Sequence, residues 1–299
     1  MTTPLGVAAA TEHEIRTPDA RVLRVFEAGD PDGDLVVVHH GTPCSGRLAA
    51  WWAADARARG IRLVGYDRPG YGGSTRMPGR RIADAAMDAA AIADALGVDR
   101  FRTWGVSGGG PHALACAALL PDRCIAAAAI ASVAPYQAAG LDWLDGMGTD
   151  NVDEFGAAVA GAATLGPYLT EASREVVAAG PIGLAEALRS LLPPVDVAVL
   201  TGEVGSFVYH WMAGGLTDGH LGWLDDDLAV VDAWGFDLGA IPVPVLLVQG
   251  RQDLMVPFAH GAWLADQIPG VTTRFTDDDG HLTLLRDVAA AHAWLLSAA

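Results

Sequence analysis

Short apolar runs alternate with stretches of helical spacing along most of this chain, and that alternation restricts the fold more than any other feature. Val22 to Phe26 alternates as a strand does. Leu35 to Val38 is a β-branched run after the turn signal Pro31-Asp32-Gly33. Gly41, Thr42 and Pro43 break it, and helical spacing follows from Arg47 to Arg59. Ile61 to Tyr66 is the next strand, running into a loop from Asp67 to Ser74. Ile82 to Leu96 has helical spacing and stops at Gly97, and Phe101 to Val106 is again a strand. Ile125 to Ala131 reads as a strand whose alanines suit a helix equally well. Strand signals then vanish from Pro135 to Leu224, where helical pieces are broken by Gly and Pro. Val243 to Val248 restores a buried-strand pattern, Val271 to Phe275 is a weaker last strand, and Leu284 to Leu296 is a closing helix. The expected class is α/β, with a mostly parallel central sheet flanked by helices. The core is expected over 1–134 and 225–299, with a helical cap inserted over 135–224.

The residue inventory excludes several chemistries. All 19 basic residues are arginine, so no lysine exists to form a Schiff base or to serve a P-loop. The three cysteines, Cys44, Cys116 and Cys124, form no C-x-x-C, and no H-E-x-x-H occurs, so neither a disulfide framework nor a metal site is expected. Cys44 lies near the expected site but is not read as a nucleophile. A net charge of −17 has the wrong sign for nucleic acid or anionic membrane surfaces. Acidic clusters such as Asp225-Asp226-Asp227 read as solvated faces. No apolar stretch is long enough to span a bilayer, and Met1 to Ala10 has no basic n-region. A cytoplasmic location is therefore expected.

Gly105 to Gly109 read G-V-S-G-G, at the end of one strand and the start of a helix near Pro111. That context lifts Ser107 out on a sharp turn and sets the Gly108 N–H at a helix N-terminus, where developing negative charge is favoured. A serine hydroxyl needs an imidazole to take its proton, and the imidazole needs a carboxylate to fix its tautomer. Of nine histidines, His281 follows the last strand through the loop Asp277 to Gly280. Asp253 follows the strand at Val243 to Val248. Both lie where parallel sheets place their sites, at the C-terminal ends of strands. A helix N-cap is the competing reading of Asp253.

These segments, with H-G-T-P at His40 to Pro43, D-R-P-G-Y-G-G-S at Asp67 to Ser74, G-R-Q-D-L-M-V-P at Gly250 to Pro257 and Gly280-His281, resemble the α/β-hydrolase fold serine hydrolases over about residues 20 to 296. The resemblance implies Ser107 as nucleophile, His281 as general base and then acid, and Asp253 as the orienting carboxylate. The backbone N–H groups of Gly108 and Thr42 would form the oxyanion hole, and no cofactor would be needed. Ser107 stands where dehalogenases and epoxide hydrolases of the fold carry Asp. Gly108 and Thr42 depart from the Met and aromatic residues common in serine perhydrolases, and Gly108 from the His of cofactor-free dioxygenases. H-G-T-P-C departs from the H-G-G-P-G of proline iminopeptidases. Carboxylic ester hydrolysis is the first expectation, lactone hydrolysis the second and amide or aminopeptidase activity the third. A non-catalytic ligand-binding protein is the alternative of a different class. Trp143, Tyr209, His210, Trp211 and Trp223 are the candidate substrate contacts in the cap. The expected partner is a small to medium, largely apolar substrate, and the expected state a monomer or homodimer.

Overall fold

The computed structural model describes residues 3–298. One eight-stranded sheet runs through it: β1 (Thr11–Arg16), β2 (Val22–Gly29), β3 (Asp34–His39), β4 (Ile61–Tyr66), β5 (Phe101–Val106), β6 (Cys124–Ile130), β7 (Val245–Gly250) and β8 (Thr272–Thr276). The spatial order is β1-β2-β4-β3-β5-β6-β7-β8. β1 and β2 pair antiparallel, β2 meets β4 antiparallel, and every pairing from β4 to β8 is parallel. The central strands are apolar on both faces because helices cover both sides. β7 is buried at all six positions.

Two local outcomes follow from burial. β1 has only one buried residue, Ile15, so its polar sequence lacks the apolar pattern that announces a strand. The alanines of β6 form a strand because β5 and β7 pair with it on either side, and their small side chains let a helix lie close to the sheet.

The helices around the sheet are α1 (Ala50–Ala58), α2 (Ala85–Ala95), α3 (Gly110–Leu119), α9 (Phe258–Gln267) and α10 (Val288–Ser297). Between β6 and β7 the chain leaves the sheet for α4 (Thr149–Val159), α5 (Ala162–Ala187), α6 (Pro194–Val199), α7 (Gly202–Gly215) and α8 (Leu221–Val231). α5 bends at Gly180, whose φ of 63° precedes Pro181. α8 runs through the position expected to separate cap from core. From β3 the chain moves first to β4 on one side and then to β5 on the other. The C-terminal end of β3 is thus a topological switch point, where open α/β sheets form their crevice.

Three of these helices are anchored to the sheet layer by buried groups. Phe207 and Trp211, one turn apart on α7, pack against Trp52 of α1 with ring centroids 5.1 and 5.7 Å away, and Trp52 meets Trp104 of β5 at 5.1 Å. Trp211 Nε1 donates to Ser45 O at 2.6 Å, and Ser45 N donates back to Trp211 O at 2.9 Å. Asp196 of α6 accepts three backbone N–H bonds from residues 281–283. α8 is held through its acidic triplet.

That triplet corrects the expectation of a solvated face. Asp225, Asp226 and Asp227 are 3%, 1% and 2% exposed. Asp226 is ion-paired to Arg68 and to Arg80 (2.6 Å) and accepts hydrogen bonds from Tyr71 OH and Thr42 Oγ1, each at 2.7 Å. Arg76 grips Asp225 with two bonds of 2.8 and 2.9 Å. Burial opposes charge on Asp226, but Arg68 and Arg80 outweigh it and hold its carboxyl well below the usual carboxylate range. Removing one partner of such a cluster strands the others in the interior. Asp226→Ala is expected to lower the free energy of unfolding by about 3–5 kcal/mol, measured by urea denaturation at pH 7. A loss below about 1 kcal/mol would contradict a structural role for the cluster.

Candidate active site

Ser107 sits at the apex between β5 and α3 with φ of +56°, in the left-handed region that a residue with a side chain seldom adopts. The turn is tight on both sides. A Cβ at Gly105 would collide with Gly109 O, and one at Gly109 would collide with His39 O. Glycine at these two positions therefore lets β5 pass directly into α3 with Ser107 raised above the sheet. The loop after β3 lies against it, since a Cβ at Gly41 would be 3.3 Å from Ser107 Cβ.

The loops after β7 and β8 bring in Asp253 and His281. His281 Nδ1 donates to Asp253 Oδ2 at 2.8 Å, and both side chains are buried. Because a carboxylate can only accept, Nδ1 carries the proton and Nε2 keeps its lone pair. Asp253 Oδ1 accepts from Met255 N and Val256 N, each at 2.8 Å, while Gln249 Nε2 reaches Oδ2 at 3.2 Å. Asp253 thus orders its own loop with one oxygen and holds the imidazole with the other. It is not a helix N-cap, because α9 begins at Phe258 behind Pro257. Among the described residues no hydrogen bond joins Ser107 to His281, although both line one cavity.

The electrostatic setting separates His281 from the other buried histidines. Burial and the Arg68 charge push His39 down to about 3 and hold His40 and His112 well below the ordinary value, and burial pushes His260 down to about 4. For His281 burial also works against the charged form. The Asp253 charge and hydrogen bond, with the Asp196 charge behind them, outweigh it and raise the pKa above 6.5. Cys44 lines the cavity, but burial pushes its thiol far up, so it is not a thiolate.

Thr42 lies beside Gly108: a Cβ at Gly108 would stand 2.6 Å from Thr42 Oγ1. The Thr42 hydroxyl donates to Asp226 and accepts from Arg68 Nη2 at 3.3 Å. Arg68 Nη1 donates to His40 O, and Arg68 N donates to His40 Nε2 at 3.2 Å. Among the described residues the Thr42 N–H donates to no acceptor. The loop after β3 is thereby fixed from below by the Arg68–Asp226 cluster, with a free N–H beside Ser107.

A cavity of about 780 Å³ opens over these groups. Of the candidate substrate contacts, Trp211 and Trp223 line it. Trp143 is turned instead into a packed cluster, with Phe155 at 4.6 Å and His260 at 5.0 Å between ring centroids, and its Nε1 donates to Ala134 O. Tyr209 lies against α5, donating to Val177 O, and His210 bonds back to Ser206 O within α7. None of these three lines the cavity; Tyr209 and His210 miss it because α7 turns its Val208, Trp211 and Met212 side toward it. Asp196, Arg68 and Asp226, which support the site, were not singled out from the sequence. A buried carboxylate and an exposed one share the same local sequence signature. Only the adjacent apolar residues Leu224 and Leu228 hinted that the triplet lies inward.

Residues 34–174 match the family model described as α/β hydrolase fold. A non-heme chloroperoxidase from Streptomyces lividans is 28% identical over 257 residues, covering 83% of this chain and 84% of that protein. A bifunctional esterase/perhydrolase from Acinetobacter calcoaceticus is 27% identical over 250 residues, covering 82% and 83%. The solved structure of a thermophilic esterase from Thermogutta terrifontis superposes with a TM-score of 0.68 at 21% identity, over 96% of this chain and 99% of that one, a likeness of fold. With the eight-stranded, mostly parallel sheet and its flanking helices, these findings give the chain the α/β-hydrolase fold.

Proposed function

We propose that this protein is a serine hydrolase that cleaves carboxylic esters with a small to medium, largely apolar acyl group, through an acyl-enzyme. The observation that carries the reading is the convergence of Ser107, the His281–Asp253 pair and the Thr42 and Gly108 backbone on one cavity. Val133, Phe155, Leu191 and Met212 supply apolar wall for the acyl chain. Related proteins named as an esterase/perhydrolase and a chloroperoxidase support chemistry at this fold's crevice.

The steps follow from the tautomer. Ser107 Oγ gives its proton to His281 Nε2 as it attacks the ester carbonyl. The new oxyanion accepts hydrogen bonds from the Thr42 and Gly108 N–H groups, each worth about 3 kcal/mol in the transition state. The imidazolium is steadied by Asp253 and passes the proton to the departing alkoxide, which leaves as alcohol. Water then gives a proton to Nε2 and attacks the acyl-enzyme. The carboxylic acid leaves as the proton returns to Ser107. The tight packing at Gly105 and Gly109 maintains the left-handed turn at Ser107 before substrate arrives.

Two outcomes test this. Hydrolysis of p-nitrophenyl esters of graded acyl length is expected to fall at least about 10⁴-fold in Ser107→Ala. Equal rates in both proteins would remove Ser107 from the mechanism. The base must be neutral to act, so a raised His281 pKa places the acid limb of kcat/KM above pH 6.5, activity rising with pH through it. In Asp253→Asn, burial acts without the opposing charge. The residual activity is expected to have its acid limb shifted to lower pH, and a limb that stays put would contradict the Asp253–His281 coupling. The same sign holds for stability. The His281 contribution is complete below 6.5 and is lost as pH rises through the folded-state value.

A further inference from the structure

The three consecutive aspartates of α8 are not treated alike. Asp225 is paired with Arg76, and Asp226 with Arg68 and Arg80. Asp227 has no cationic partner among the described residues, is 2% exposed, and its Oδ2 has no hydrogen-bond donor. It lines the cavity, and so does Glu154 of α4. Glu154 Oε1 accepts from Trp223 Nε1 at 2.8 Å, which fixes the carboxyl in the wall. Two acids, Asp227 buried and Glu154 partly buried, thus line one wall with no ion-paired cation of their own among the described residues. Burial raises both carboxyls, Glu154 to about 7 and Asp227 well above its ordinary range, and the neighbouring Glu154 adds to the rise on Asp227.

The outer wall has the same sign. Asp150, Asp153, Glu171 and Glu175 line it, and the one arginine among the described lining residues, Arg189, is paired with Glu186. Such a field concentrates cations at the mouth and repels anions. The acid pair is also near the chemistry, because Asp226, the preceding residue, is bonded to Thr42 beside Gly108. Asp227 and Glu154 line the same cavity as Ser107.

We propose that Glu154 and Asp227 form a subsite for a protonated amine, so that the preferred substrates are esters or amides carrying one ammonium group. An ammonium has three donors and no acceptor, which suits two cavity-lining carboxyls that no arginine is ion-paired with. Its positive charge answers the negative charge that the two acids bring to the wall. The Trp223 and Phe155 rings on the same wall suit the alkyl stem that carries it. A neutral isostere would leave the pair uncompensated, and an anionic one would add repulsion.

The chemistry of this proposal rests on the ester-hydrolase reading, whereas the binding does not, and the test separates the two. kcat/KM would be compared for methyl 3-aminopropanoate against methyl butanoate and methyl hydrogen malonate, and for 4-aminobutyl acetate against pentyl acetate, at pH 7. In at least one series the wild type is expected to favour the ammonium ester about tenfold or more. In Glu154→Gln/Asp227→Asn the ratio of ammonium to neutral ester is expected to drop about tenfold. Preference for the neutral ester in both series, or a ratio unmoved by the substitutions, would overturn the subsite. If the wild type hydrolyses no ester, the ester-hydrolase reading fails, and binding alone decides the subsite. Butylammonium is expected to raise the wild-type Tm by about 2 °C or more where 1-butanol does not, and the double variant is expected to lose that difference. Equal effects of the two ligands on the wild type would overturn the proposal without recourse to any variant.

Discussion

A carboxylate inside a protein is costly unless cations and donors surround it, and Asp226 is surrounded on every available lone pair. Arg68, Arg80, Tyr71 and Thr42 converge on its two oxygens. The four partners come from two loops that are remote in sequence, so the charge draws together the end of β3, the end of β4 and α8. Hydrophobic contact alone would leave these segments free to slide. A network of directed bonds gives them one register. Thr42 is held beside Gly108 by the bond from its hydroxyl to Asp226.

The same logic recurs at the other end of the crevice. Asp196 accepts the N–H groups of His281, Leu282 and Thr283, and so aims a loop it does not belong to. Helices α6 and α8 each contribute one aspartate that organises a sheet-end loop, while α7 adds the stacked Phe207 and Trp211. The helices over the sheet are therefore part of the site's scaffold as well as its roof. The arrangement also explains why one acid of the triplet can face the cavity. Asp225 and Asp226 already hold α8 in place, so Asp227 is not needed for docking.

What the sequence revealed depended on how local each signal was. Buried parallel strands announce themselves as apolar runs, and Val243 to Val248 differs from β7 by only two residues at each end. The serine turn is legible because only glycine fits the positions flanking the raised residue. Asp253 and His281 could be picked out because each lies in a loop that follows a strand, downstream of the serine turn. β1 was invisible because an edge strand with one buried residue has no pattern to read. The buried acids were misread because burial is decided by what packs on top, and Arg68 lies far from Asp226 in sequence. Trp143 was offered as a substrate contact on residue type alone, whereas the choice between wall and core was made by its neighbours Phe155 and His260.

The proposed mechanism requires that Ser107 be covalently acylated with help from His281. Intact-mass spectrometry after exposure to an alkyl p-nitrophenyl phosphonate reads this directly, because the phosphonyl adduct on a serine is not hydrolysed on the timescale of the measurement. A single stoichiometric adduct is expected on the peptide containing Ser107, formed much more slowly in His281→Ala. Labelling at another residue, or labelling of Ser107 at an equal rate in both proteins, would contradict it.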